Sequence, residues 1–262
     1  MPVGNEEFAA EAERILLEAE KAGVTLRILG SIAYRVHCPG TVSLFERMDR
    51  ALTDIDFASE KSQGPKIQRL MEQLGYVEDK GTALSSEGRR LCFTSRDGKL
   101  NVDVFMDELY FCHRIPLKDR LRLDSPTIPV TDLLLEKMQI VEINLKDLKD
   151  TVVLLLEHEV ADGDPDREHI DLERLGQLLA ADWGFYHTVT TNLAKVREYA
   201  DRLEGLGEEL TATVDRRIAR ILEALEKRPK SLGWRMRARV GTRVKWYQEV
   251  SGKEATYMED QA

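Results

Sequence analysis

An α+β fold is predicted, with strands and helices in the first half of the chain and helices alone in the second. Three observations predict it. Short runs that alternate apolar and polar residues, bounded by turn signals, fill the chain up to Pro126. Beyond Pro126 and Pro129 the apolar residues recur at helical spacing instead. The chain has 262 residues, 42% of them apolar, enough for two cores of ordinary size. The division expected is 1–128, 129–250 and a tail over 251–262.

The elements follow in order. Phe8, Ala12, Ile15, Leu16 and Ala19 recur at helical spacing over Glu6 to Ala22, and Gly23 stops that helix. Val24 to Leu29 is a short aliphatic strand ending at Gly30-Ser31, after which Ile32 to Val36 opens a helix. Pro39-Gly40 starts a connection to about Leu52, and Thr53 to Ala58 is a second strand. Lys66 to Leu74 reads as a helix closed by Gly75. Arg89 to Ser95 and Leu100 to Phe105 form a hairpin around Asp97-Gly98. In the second half, Thr131 caps Asp132 to Asn144, and Lys146 to His158 is the next helix. After a polar break at Ala161 to Asp166, helical patterns cover Ile170 to Asp182, Tyr186 to Leu203, Glu208 to Lys227 and Leu232 to Tyr247.

Charge and cysteines narrow the function. A formal net charge of −9 argues against binding nucleic acid through the whole surface, although a local basic patch remains compatible with it. Cys38, Cys92 and Cys112 show neither a disulfide framework nor metal-finger spacing, which fits reduced thiols. No eighteen apolar residues occur in succession, and the first residues form an acidic helix rather than a leader. The expectation is a cytoplasmic protein without membrane contact.

The chemistry centres on Asp54-Ile55-Asp56-Phe57. On a strand, Ile55 and Phe57 face a core while both carboxylates share the opposite face. Asp103, in the second hairpin strand, alternates with Val102 and Val104 and stands ready beside them. Hard Mg²⁺ or Mn²⁺ takes oxygen ligands of this kind, commonly one or two carboxylates with phosphate and water. Gly30 lets backbone approach a phosphate without a Cβ, and Ser31 adds a hydroxyl at a helix start.

Gly30-Ser31, Asp54-x-Asp56 and Asp103 together resemble the nucleotidyltransferase superfamily, which includes DNA polymerase β and the small-molecule and toxin-type nucleotidyltransferases. The resemblance covers roughly the first half of the chain. It implies a mixed-sheet nucleotidyltransferase core followed by a helical domain, with Asp54, Asp56 and Asp103 as catalytic and metal residues and Gly30 and Ser31 binding the triphosphate. Asp103 either completes the metal ligation or accepts a proton from the acceptor hydroxyl. It further implies transfer of a nucleoside monophosphate from a nucleoside triphosphate such as ATP onto an acceptor hydroxyl, in a small molecule or in RNA or tRNA, with release of pyrophosphate. The alternative is an inactive nucleotide- or RNA-binding protein on the same fold. Toxin-type members also imply an antitoxin-like partner. The helix pair after Leu133 resembles theirs, where a lysine reaches the nucleotide phosphates, and Lys137 is the candidate. One departure stands out. The family separates its two motifs by about a dozen residues, whereas Ile32 to Thr53 intervene here, as though Cys38 to Asp49 were inserted.

Other features carry less. Asp162, Asp164, Asp166 and Glu173 imitate a calcium loop, but Arg167 stands where the turn needs glycine, so an acidic interhelix loop is the better reading. The five histidines show no metal-binding spacing. Trp183, Phe185 and Tyr186 read as helix packing. Residues 228–245 carry Arg228, Lys230, Arg235, Arg237, Arg239, Arg243 and Lys245 without one acidic residue. They form either an RNA-binding face or a basic helix packed on its own acidic protein.

Overall fold

Residues 4–163 and 168–249 are described by a computed structural model, and they fall into two compact units. Unit 1 takes residues 4–36, 49–109 and 114–129, and unit 2 takes 37–48, 110–113 and 130–249. The segments 37–48 and 110–113 therefore belong with the later helices, outside the 129–250 stretch expected from the sequence. The fold is α+β, with a mixed sheet and a helical C-terminal part. Among the described residues, no helix is long and apolar enough to cross a membrane.

In unit 1, α1 (Asn5–Lys21) buries Phe8, Ala12, Ile15 and Ala19, one stripe at helical spacing. β1 (Arg27–Leu29) leads into α2 (Gly30–His37), and α3 (Val42–Arg47), which belongs to unit 2, occupies the apparent insertion. Then come β2 (Ile55–Ser59), α4 (Gly64–Gln73), β3 (Tyr76–Glu78), α5 (Lys80–Ser85), β4 (Arg90–Ser95) and β5 (Asn101–Met106). The sheet order is β1-β2-β5-β4-β3. β2 and β5 run parallel, and every other neighbouring pair is antiparallel. The β4–β5 hairpin turns at Gly98, whose φ of 75° is the left-handed conformation the Asp-Gly pair supplies. Ile55, Phe57, Val102 and Val104 are completely buried. The outer edge of β1 is covered by residues 126–128, through Ile28 N–H to Pro126 O at 2.9 Å and Ile128 N–H to Ile28 O at 3.0 Å. The short strands β6 (Glu108–Tyr110) and β7 (Arg114–Pro116) follow.

Unit 2 is built from α6 (Val130–Met138), α7 (Leu145–Glu157), the two-residue strands β8 (Val160–Ala161) and β9 (Ile170–Asp171), α8 (Leu172–Leu179), α9 (Trp183–Arg202), α10 (Glu208–Lys227) and α11 (Leu232–Val240). Every residue of α6 is buried, so it is the central helix of the unit. Val214, Ile218, Ile221 and Leu225 form the buried stripe of α10. Asn144, Asp171, Asp182 and Ser231 cap the helices that follow them with side-chain oxygens. Two helices are shorter than their sequence patterns. α6 ends at Met138 rather than Asn144, because Asn144 turns away to cap α7. α11 ends at Val240 rather than Tyr247, because Gly241 at φ 60° terminates it. Thr131 is inside α6 rather than at its cap, and its hydroxyl accepts from the Asp171 N–H at 2.8 Å.

Candidate functional site

Alternation and register assemble the unit 1 site. Leu29 of β1 pairs with Asp56 of β2, and Asp56 pairs with Asp103 of β5. Residues paired across neighbouring strands project to the same face about 4.8 Å apart, so Asp56 and Asp103 stand side by side. Asp54, half-buried just before β2, is two residues from Asp56 and belongs to that face by the same alternation. Ile55 and Phe57, with Val102 and Val104, fill the opposite face.

The Gly30-Ser31 turn closes on this face. Gly30 has a φ of 67°, and a Cβ there would lie 2.3 Å from Asp56 Oδ2. Only glycine therefore allows the backbone so near the carboxylate. Ser31 is buried in the first turn of α2. The long segment between the motifs does not separate them, because α2, a short 3₁₀ turn at Pro39–Thr41 and α3 absorb it and β1 still pairs directly with β2.

β4 adds two groups that the sequence motifs do not include. Arg90 donates from Nη2 to Asp103 Oδ2 at 2.6 Å, both residues being buried, and its guanidinium lies 5.2 Å from the centre of the Phe105 ring. Cys92 pairs in register with Asp103. Burial, then the Asp103 charge, push the Cys92 thiol up and keep it protonated. Alternation along β4 was the available signal, since Arg90 and Cys92 share a face with the residue opposite them. Asp54, Asp56 and Asp103 share this face, with the Arg90 guanidinium on Asp103. An all-oxygen carboxylate donor set with a glycine turn beside it fits a hard divalent cation.

Lys137 lies in unit 2. Its ammonium is 3.4 Å from Glu136, 3.2 Å from Asp147 and 3.6 Å from Asp150, all of them buried. Of the acidic loop, Asp164 and Asp166 lie outside the described residues, and Glu173 forms a two-pronged pair with Arg228 at 2.7 and 2.8 Å. The basic segment divides. Arg237 lies 4.7 Å from the centre of the Trp183 ring and donates to the carbonyls of Gly241 and Val244, and Lys230 donates to Arg228 O, whereas Arg235, Arg239 and Arg243 are exposed. The aromatic cluster packs helices, with Trp183 stacked on His187 and Tyr186 edge-on to Trp234. Compared with models of known protein families, with curated proteins and with solved structures, the chain matches none.

Proposed function

We propose that unit 1 is a nucleotidyltransferase core that moves a nucleoside monophosphate from a nucleoside triphosphate to an acceptor hydroxyl and releases pyrophosphate. One observation carries the reading: the Gly30-Ser31 turn abuts the same carboxylate, Asp56, that pairs in register with Asp103. In this reading Asp54, Asp56 and Asp103 hold Mg²⁺ or Mn²⁺, and Gly30 and Ser31 face the triphosphate. When bound, the cations offset charge on the transferring phosphate and its leaving group. The chain's own part is to fix the carboxylates on a rigid sheet face and to bring amide and hydroxyl donors of the turn to the phosphates. Asp103 is either a metal ligand or the group that receives the acceptor proton. The metal and triphosphate sites of this reading use unit 1 alone, and the Lys137 ammonium of unit 2 is balanced by carboxylates of its own unit. The acceptor is a small-molecule hydroxyl or an RNA end, the exposed Arg235, Arg239 and Arg243 supporting the second.

A second reading, nucleotide binding without turnover, is favoured by the Arg90–Asp103 pair, which places a cation on one of the three carboxylates. Labelled triphosphates with Mg²⁺ and a panel of small-molecule and RNA acceptors separate the two. Transfer with pyrophosphate release that disappears in Asp54→Asn plus Asp56→Asn supports the enzyme. Activity that survives those changes sinks it, and metal-dependent binding without release supports the second reading.

A further inference from the structure

Histidines that are scattered in the sequence meet in unit 2. His37 ends α2, His158 is the C-cap of α7, and Glu168 precedes β9. Both histidine side chains are 4% exposed, while that of Glu168 is 55% exposed and gives the cluster an opening to water. One ring nitrogen from each histidine and one Glu168 oxygen all lie within 4.8 Å of one another. Glu168 Oε2 is 3.5 Å from His37 Nδ1 and 3.4 Å from His158 Nδ1.

These separations are long for N–H···O hydrogen bonds, which cluster at about 2.9–3.0 Å. They match the edge, roughly 3.4 Å, of a tetrahedron whose nitrogen and oxygen donors stand about 2.1 Å from a central ion. We infer that His37, His158 and Glu168 form a binding site for a divalent transition metal of the Zn²⁺ class, leaving a fourth position for water. Two imidazoles and one carboxylate are a borderline donor set, which favours such an ion over Mg²⁺ or Ca²⁺.

The far side of the ring supplies what a ligating imidazole needs. His158 Nδ1 donates to the Glu168 carbonyl at 2.9 Å, a bond that gives way when the ion binds, and Nε2 is 3.7 Å from Cys38 Sγ. Loading moves the ring proton from Nδ1 to Nε2, so Nδ1 gives its lone pair to the ion and Nε2–H turns to the buried Cys38 sulfur. That outward hydrogen bond orients the ring, the usual task of groups behind a metal ligand. The ion then clasps three stretches of unit 2 that are far apart in sequence, and it makes the unit more stable when present.

The test uses the full chain, titrated with Zn²⁺ alone by calorimetry and with Co²⁺ alone by visible absorption. One Zn²⁺ site that persists in Asp54→Asn plus Asp56→Asn is expected, with the intense absorption of tetrahedral Co²⁺ and a rise in Tm. Glu168→Gln, at an exposed side chain, and His37→Gln are each expected to weaken Zn²⁺ binding roughly tenfold or more. Asp54→Asn plus Asp56→Asn is expected to leave it unchanged, so this site stands or falls apart from the unit 1 reading. No binding by the unmodified chain, or binding equally tight in Glu168→Gln and His37→Gln, overturns the inference.

Discussion

Gly30 and Asp56 are locked together: a Cβ on Gly30 would come within 2.3 Å of Asp56 Oδ2, and the backbone there has a φ of 67°. Gly30→Ala therefore meets two penalties, left-handed backbone strain of about 1–2 kcal/mol and displacement of the carboxylate. The expected outcome is a loss of about 2 kcal/mol in urea unfolding. Transfer activity per folded molecule, if unit 1 is the enzyme proposed, falls more than a hundredfold, because the Asp56 carboxylate must move from the position it holds against the turn. Full activity in a folded Gly30→Ala protein is the contrary result.

Arg90 and Asp103 supply the second prediction. Removing the guanidinium leaves a buried carboxylate without its 2.6 Å partner, and breaking such a pair costs on the order of 3 kcal/mol. Arg90→Met is expected to lose about that much in the presence of a chelator. A cation bound among Asp54, Asp56 and Asp103 offsets part of the loss, so Mg²⁺ stabilises the variant more than the parent. Unfolding curves with and without Mg²⁺ decide it, and equal shifts in both proteins count against a cation on that face.

How much of the fold and site is legible in the sequence depends on sequence distance. Alternation in Asp54-x-Asp56 and in Val102-Asp103-Val104, and the Asp-Gly turn, are local, and these patterns alone place the carboxylates on strand faces. The parallel pairing of β2 with β5 is not local. No residue announces that Asp56 and Asp103 share a register, because strands joined through other elements acquire neighbours by tertiary packing. The cluster of His37, His158 and Glu168 is hidden for the same reason, since metal motifs are recognised by spacing and these ligands have none. β3 and α5 are hidden because they are short, three and six residues, with too few periods to register. The end of α11 is legible: Gly241 is an ordinary stop signal, masked only by the basic pattern that runs through it.

His113 sets a pH dependence. Its ring stacks on Phe185 with centroids 4.9 Å apart, and Nε2 is 2.8 Å from Thr188 Oγ1. Burial lowers its pKa from an ordinary 6.5 to about 4, with Asp182 opposing the shift. The unfolded chain thus takes up a proton near pH 6.5 that the folded chain refuses until about pH 4. This contribution is complete above pH 6.5 and is lost as the pH falls toward 4, by at most about 3 kcal/mol. Urea midpoints at pH 7.5 and pH 5 measure it. The drop between them is expected to be smaller in His113→Gln, and an identical drop would show that His113 is not the group responsible.

The last prediction concerns the basic segment, where contacts divide seven cations into two kinds. Arg237 is committed to its own protein, through the Trp183 ring and the carbonyls of Gly241 and Val244, so Arg237→Ala is expected to lower stability. Arg235 and Arg239 are exposed one turn apart on α11, and Arg243 is exposed beyond the break at Gly241. If RNA is the acceptor, these three carry its phosphates. Each phosphate contact on a single strand contributes about 0.7 to the slope of log affinity against log salt, so replacing all three with alanine is expected to reduce that slope by about 2 while leaving the unfolding midpoint unchanged. Fluorescence anisotropy of a labelled tRNA across a salt series gives both affinities and slopes. A slope unaltered by the triple change, with binding retained, moves any RNA contact off this helix and returns the basic run to packing against an acidic protein.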